Sequence, residues 1–313
     1  MPFTRPRESY AGKVYPVAIG TEPREIVFGG ENVFPFHAFE GSIPHKPVIA
    51  YEIQDIFPDD WPAEVQKPYA DVLNNPVSWA QFCRDTLNAQ VIALRLAGTH
   101  PDRADRSPED AAATVREVLS SVDIPCILLG SNHAEKDASV LIAAAEAAKD
   151  RNCIIGKAQE SNYKTIAAAA MANNHKLVAM SELDINLSKQ LNILVTQMGF
   201  DKEKIIIDPM CSALGYGIEY TYSVMERIRM AALAQNDPTM QQPMLGDVGM
   251  YVWKVKETQA GEDDVPNWGS LKERGIAWEA VTAMTLLLAG TEILIMRHPE
   301  AIKAVEKVIE ELA

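Results

Sequence analysis

From residue 47 onward the chain alternates short apolar runs with helical stretches, and the alternation continues to its last residues. Residues 48–53, 91–96, 124–129, 153–155, 177–180, 204–208, 244–247 and 292–296 read as strands. Helices are expected at 76–87, 108–121, 136–150, 165–173, 184–198, 217–234, 271–289 and 300–312. The second of these opens on Ser107-Pro108-Glu109, an N-cap serine with proline at the first helical position. The strands are apolar throughout, as strands buried on both faces are. Eight strand–helix units between residues 47 and 312 predict an α/β fold, the (β/α)8 TIM barrel. An open doubly wound sheet would carry a glycine-rich phosphate turn after its first strand. Here that segment is Gln54-Asp55-Ile56-Phe57-Pro58, without a glycine.

Residues 1–46 are expected to form an extension ahead of a barrel at 47–313. The first 47 residues carry seven of the nineteen prolines, and 14–19 and 24–28 are β-rich runs around the turn-prone Gly20-Thr21-Glu22-Pro23, a predicted β-hairpin. The aromatic run that follows, with Phe34, Phe36 and Phe39, suits either packing across the barrel's end or contact with another chain.

Charge narrows the class. Lys and Arg number 29 against 43 Asp and Glu, a net −14. Nucleic-acid binding calls for a basic footprint, and an anionic membrane surface would repel this chain. The N-terminal residues have no apolar segment of a secretory signal, and no stretch approaches the roughly 20 apolar residues of a membrane span, so a cytoplasmic location is expected. Cys83, Cys126, Cys153 and Cys211 form no CxxC pair and read as buried reduced thiols.

In this architecture chemistry collects at the carboxyl ends of the strands. In strand order the exits present Glu52 and Gln54; Arg95, Thr99 and His100; Ser131, Asn132 and His133; Lys157, Gln159, Glu160 and Asn162; Ser181, Glu182, Asp184 and Asn186; Asp208, Met210 and Cys211; Asp247; and Arg297 with His298. Loops are polar in any protein, and several of these residues suit helix caps, Asp184 above all. Their sum marks a surface that meets a polar ligand or partner. A Schiff-base aldolase would need a desolvated lysine; Lys157 is the candidate, but its place beyond Gly156 reads as a loop with a solvated amine. The six histidines include no HxH or HExxH metal motif, and His100 with His133 make a weak site. Glu52, Glu160 and Glu182 could serve a glycosidase, but little aromatic lining accompanies them. After the sixth strand Pro209 stops the ladder, and Gly215 and Gly217 suit either a tight turn or close approach to a ligand.

Several runs, in order, resemble one family, the small (delta) subunit of the corrinoid iron–sulfur protein. They are GGENVFPFHAFEG (29–41), PVIAYEIQDIFP (47–58), LRLAGTHPD (94–102), IIIDPMCSALGYGIEYTYSVMERIR (205–229), GDVGMYVWKVKE (246–257) and RGIAWEA (274–280). The resemblance spans essentially the whole chain. It implies a barrel related to pterin-dependent methyltransferases, paired as a heterodimer with a large subunit that carries a [4Fe–4S] cluster and a cobalamin-binding domain. The pair would take a methyl group from methyltetrahydrofolate through a separate methyltransferase and pass it to acetyl-CoA synthase in the reductive acetyl-CoA pathway of anaerobes. This subunit would not be catalytic by itself. The cysteine spacing agrees with a cluster on another chain, and no Asp-x-His-x-x-Gly cobalt-ligating motif occurs.

In such a family the corrinoid lies between the large subunit and the barrel mouth. The candidate contacts are then Thr99, His100, Ser131, Asn132, Gln159, Glu160, Asp208 and Asp247. Pterin barrels use carboxylates and an asparagine at the mouth. Asp208 and Asp247 occupy suitable exits, but no asparagine directly follows the sixth or seventh strand. A barrel that has lost pterin chemistry and kept its mouth for the corrinoid is therefore the favoured expectation. A free-standing pterin-dependent methyltransferase is the alternative, and a Lys157 lyase is third.

Overall fold

The computed structural model describes residues 5–312; residues 1–4 and 313, the outer ends of the two expected segments, lie outside the described residues. The strands are β1 (Val17–Ile19), β2 (Ile26–Phe28), β3 (Val48–Gln54), β4 (Val91–Arg95), β5 (Cys126–Leu129), β6 (Ile154–Ala158), β7 (Lys176–Met180), β8 (Ile205–Asp208), β9 (Met244–Gly246) and β10 (Thr291–Met296). The helices are α1 (Ala63–Gln66), α2 (Pro76–Asp85), α3 (Pro108–Ser121), α4 (Ala134–Ala147), α5 (Tyr163–Ala172), α6 (Ile185–Gln197), α7 (Ile218–Leu233), α8 (Val248–Val252), α9 (Leu271–Leu288) and α10 (Pro299–Leu312). Strands β3 to β10 close in sequence order into a parallel barrel, with β10 pairing back onto β3. This is the predicted TIM barrel.

Two apolar layers hold it together. The outward side chains of the strands pack against the helices around Trp79, Ile166, Ile228 and Trp253. The inward side chains fill the barrel itself: Val48 and Ala50, Val91 and Ala93, Ile127 and Leu129, Ile154, Val178, Ile206, Leu245, Ile293 and Ile295. Side-chain direction alternates along a strand, so the next inward positions toward the mouth are Glu52, Arg95, Asp208, Asp247 and Arg297. The apolar filling thus gives way to charge at one level, near the carboxyl ends.

The predicted hairpin is present, with Val17 opposite Phe28 and Ile19 opposite Ile26. Its ladder is shorter than the runs 14–19 and 24–28 because Pro16 has no N–H and the residues before it bond elsewhere. Val14 N donates to the Glu31 carbonyl (2.8 Å) and Tyr15 N to that of Gln241 (2.7 Å). Val17, Ile19 and Phe28 join the interior cluster and so close the amino end of the barrel. Phe36 packs on the outer core, and Phe34 meets Tyr10 edge-on with centroids 5.2 Å apart. Phe36 thus packs on the barrel, while Phe34 and Phe39 make their contacts within the extension itself.

One strand differs in a way that changes the chemistry. β6 extends to Ala158, and its register against β7 shifts between Ile155 and Ala158. The shift carries Lys157 inward. A side chain in place of Gly156 would put its Cβ 2.5 Å from Val178 Cβ, so only glycine lets β6 lie this close there.

Candidate functional site

Six buried charged side chains meet beneath the mouth, each at or just past the end of a strand. Arg297 donates to Glu52 (Nε to Oε2 2.9 Å), and Arg95 donates to the same carboxylate from the other side (Nε to Oε1 2.7 Å). Arg95 Nη2 reaches Asp247, at 2.8 Å from Oδ2. Lys157 Nζ then lies 2.8 Å from Asp247 Oδ2 and 2.8 Å from Asp208 Oδ2. Three cations and three carboxylates form one neutral chain, Arg297–Glu52–Arg95–Asp247–Lys157–Asp208. Each residue is no more than 4% exposed.

The electrostatics follow from this mutual compensation. Burial alone would favour the neutral form of every member. For Lys157 the two aspartates outweigh burial and hold its ammonium above the ordinary lysine range. For Asp247, Arg95 and Lys157 outweigh burial and hold the carboxyl well below its usual range. Glu52 is held down in the same way by Arg297 and Arg95. Lys157 is therefore not the solvated loop amine expected from the sequence. It is a buried, protonated cation whose nitrogen has no free electron pair to attack a carbonyl.

The backbone around the chain is pinned from outside the barrel. The Glu279 carboxylate, on α9, accepts the N–H groups of Arg297 (2.7 Å) and His298 (3.0 Å), and Tyr69 Oη donates to the Arg297 carbonyl (2.6 Å). Arg297 also lies against Trp61, its guanidinium carbon 4.5 Å from the ring centroid.

Above the charge chain lies a mouth cleft of about 330 Å³, lined in part by Gln54, Arg95, His100, Asn132, Met250 and Lys254. Its wall is shaped by the loop after β5. Asp137, buried on α4, accepts the N–H and the hydroxyl of Ser131 (2.8 and 2.9 Å) and the N–H of Asn132 (2.9 Å). This clamp holds Asn132 at φ +69°, a left-handed conformation that asparagine tolerates better than most residues. Gly130 makes room for it, since a Cβ there would lie 2.3 Å from the Asp137 carboxyl carbon.

The sequence-predicted residues divide into three groups. His100, Ser131 and Asn132 come together on the cleft. His100 stacks edge-on against His133 at 5.5 Å, and its Nδ1 accepts the Asp102 N–H. Asp208 and Asp247 lie below the cleft within the charge chain, and Thr99 is fully buried with its hydroxyl donating to the Leu96 carbonyl (2.8 Å). Gln159 and Glu160 stand apart on the loop after β6, half-buried and exposed, where Gln159 N is held by Asn162 Oδ1. Glu52, Arg95, Lys157 and Arg297 are legible as strand exits but are not among the expected corrinoid contacts, and the sequence does not single out Lys254 at all. A charged residue two positions beyond inward apolar ones, as in Val91-Ile92-Ala93-Leu94-Arg95, is the signal that marks Arg95 as facing the barrel interior.

Among the described residues, no group of three or more His, Cys, Asp or Glu side chains converges with metal-binding geometry. The four cysteines are free and buried. No helix is long and apolar enough to cross a membrane.

Similarity to known proteins extends over nearly the whole chain. The family model of the CO dehydrogenase/acetyl-CoA synthase delta subunit matches residues 16–308. The acetyl-CoA decarbonylase/synthase complex subunit delta of Methanothermobacter thermautotrophicus is 34% identical over 310 residues, covering 98% of this chain and 78% of that protein. The subunit of the same name from Archaeoglobus fulgidus is 33% identical, with 98% and 70% covered. Among solved structures, dihydropteroate synthase of Xanthomonas albilineans with 4-aminobenzoic acid superposes with a TM-score of 0.58 at 12% identity, covering 95% of this chain and 98% of that one. That likeness is one of fold. By sequence, this chain belongs to the family of CO dehydrogenase/acetyl-CoA synthase delta subunits.

Proposed function

We propose that this chain is the non-catalytic small subunit of a corrinoid iron–sulfur methyl carrier, and that its barrel mouth covers the corrinoid. The observation that carries this reading is the Lys157 bridge between Asp208 and Asp247. It fills the barrel axis where a ligand would have to enter, so the chain offers a surface above a closed floor rather than a well. A pterin ring seated on Asp208 and Asp247 would have to displace an ammonium that both carboxylates hold, at the cost of several kcal/mol per unpaired buried charge. This disfavours the free-standing pterin-dependent methyltransferase. The protonated state of Lys157 likewise disfavours a lyase.

The residues at the mouth fit a corrinoid. Arg95 Nη1 is buried and has no hydrogen-bond partner, which leaves a donor for a ligand whose edge bears acceptors. A bound corrinoid supplies a cobalt centre able to accept and give up a methyl group. The contribution of this chain is to orient the ring and exclude water. The charge chain has no net charge to draw solvent in, and the apolar barrel beneath it is filled.

The large subunit, with the [4Fe–4S] cluster and the cobalamin domain, would be the obligate partner. Methyltetrahydrofolate would donate through a separate methyltransferase, and acetyl-CoA synthase would receive the methyl group. Family membership supports this assignment, since the relatives are named as subunits of an acetyl-CoA decarbonylase/synthase complex.

Co-expression with a large subunit tests it. With this chain present, the pair is expected to retain corrinoid through gel filtration and to accept methyl from the methyltransferase. The large subunit alone should lose corrinoid or methylate slowly. Equal corrinoid retention and equal rates with and without this chain would contradict the reading.

A further inference from the structure

At the amino end of the barrel, opposite the mouth, the loop that leaves the hairpin folds back over the strands. Its neck is closed: Asn32 N donates to the Ser42 carbonyl (3.2 Å) and Ser42 N to Asn32 Oδ1 (2.8 Å). Residues 31–44 therefore hold together as one compact loop, hinged on Gly29 and Gly30 at φ +79° and +92°. The loop seats on the barrel through Phe36, and it carries Glu31 with it, a carboxylate only 8% exposed.

The surroundings of Glu31 are short of donors. Among the described residues, no N–H and no cation reaches its carboxylate. What it meets is the carboxyl of Glu292 on β10, within hydrogen-bonding reach. Glu292 has donors of its own, Arg229 of α7 and Met244 N, the latter 2.5 Å from Oε2. Arg229 also serves the carbonyls of Gly290 (2.8 Å) and Gln242 (3.2 Å). One cation thus faces two carboxyl groups, and two carboxyl oxygens can hydrogen-bond only with a proton between them. Burial and the charge of Glu31 together hold the Glu292 carboxyl well above its usual range, against the pull of Arg229. A cavity of about 50 Å³ borders both groups and is roomy enough for water, which gives the proton a way out. The other charged or titratable side chains that line it are Arg229 and His45.

We propose that Glu31 and Glu292 form a proton-bridged latch that holds loop 31–44 against the amino end of the barrel, and that loss of the proton frees the loop. The closed state binds a proton that the open one does not, because in the open state Glu292 is hydrated and ionises near 4.5. The latch is complete below that pH. Above it the opening constant rises up to about tenfold per pH unit, until Glu292 ionises in the closed state as well. The loop therefore loosens as pH rises. This device does not depend on what the mouth binds.

Hydrogen exchange of the full chain, read by mass spectrometry from pH 5 to pH 8, tests it. Peptides within 31–44 are compared with hairpin peptides from 17–28 at each pH, so that the intrinsic pH dependence of amide exchange cancels. In the wild type the ratio of loop to hairpin exchange is expected to rise at least about tenfold over this range. Glu31→Gln replaces the shared proton with an amide that donates to Glu292 at every pH, and should keep the ratio flat to within about threefold. Glu292→Gln should do the same. The wild-type profile carries the test by itself if a variant does not fold. A flat ratio in the wild type would overturn the latch. A rise that persists unchanged in Glu31→Gln would overturn it too, and would place the titration on another group such as His45.

Discussion

Lys157 and Asp247 come from β6 and the end of β9, strands that are not neighbours in the barrel, and their charged atoms meet 2.8 Å apart. With Asp208 on the far side of the ammonium, this contact closes the barrel interior just below its mouth. Everything proposed for the mouth depends on that floor.

Removing Lys157 should leave two buried carboxylates short of a counter-charge. Lys157→Met is expected to lower unfolding free energy by about 3–5 kcal/mol. Lys157→Met with Asp208→Asn should regain a large part of the loss, because Asn can still accept the Met210 N–H that Asp208 Oδ1 takes at 2.9 Å. Urea unfolding of the three proteins measures both. A single variant as stable as wild type would show that the pairing does not hold in solution.

A protonated Lys157 cannot form a Schiff base. Borohydride reduction in the presence of small aldehydes and ketones should leave the Lys157 peptide unmodified by mass spectrometry, at neutral pH and at pH 9. A trapped adduct at Lys157 would mean its amine is neutral and reachable.

Two groups beside the last strand should oppose each other in pH dependence. Burial lowers the His298 imidazole from 6.5 to about 4, so its contribution to stability is complete above pH 6.5 and is lost as pH falls toward 4. Burial raises the Glu279 carboxyl from 4.5 to about 7, so its contribution is complete below pH 4.5 and is lost as pH rises through 7. Between pH 4.5 and 6.5 the slopes cancel in part. His298→Gln should expose the falling limb, and Glu279→Gln the rising one, each of order 2 kcal/mol across its window. Chemical denaturation from pH 4 to 7.5 reads both; parallel curves for all three proteins would refute the assignment.

The four thiols should be inert in the folded chain. Each is buried, and burial raises Cys153 to about 12 and the other three above the usual thiol range. Ellman's reagent should titrate close to none natively and four in denaturant. Rapid native labelling of Cys211, near the mouth, would show that β8's exit opens.

The Asp137 clamp offers a separate handle on the cleft. Asp137→Ala removes the acceptor of three donors in the loop after β5 and should cost about 2–4 kcal/mol. It should also weaken corrinoid binding through Asn132, whereas Glu160→Ala, on an exposed loop away from the cleft, should change neither. Affinity unchanged in Asp137→Ala would separate Asn132 from the binding surface.

The eight barrel strands are legible in the sequence because each is an apolar run too short for a helix and is bounded by turn residues, as at Gly98, Gly130 and Pro209. The helix starts at Ser107 and Asp184 are legible for the same local reason: both side chains cap the expected residues. Lys157 is not, because its burial comes from a register shift against β7, a strand whose pairing the local sequence does not encode. The charge chain is hidden for a related reason. Glu52 meets Arg297 across 245 positions and Arg95 meets Asp247 across 152, so their compensation exists only once the barrel closes. On the mouth, His100, Ser131 and Asn132 follow from strand order alone, whereas Lys254 arrives from the long β9–α9 connection, which has no strand–helix pattern to place it.

The central claim is that this chain works as one part of a methyl carrier. Its most direct test is anaerobic purification of native material by size-exclusion chromatography, with cobalt and iron measured across the peak. The account predicts that the chain elutes with a larger partner, and that both metals follow the two chains together. Elution alone, colourless and free of both metals at moderate salt, would contradict it.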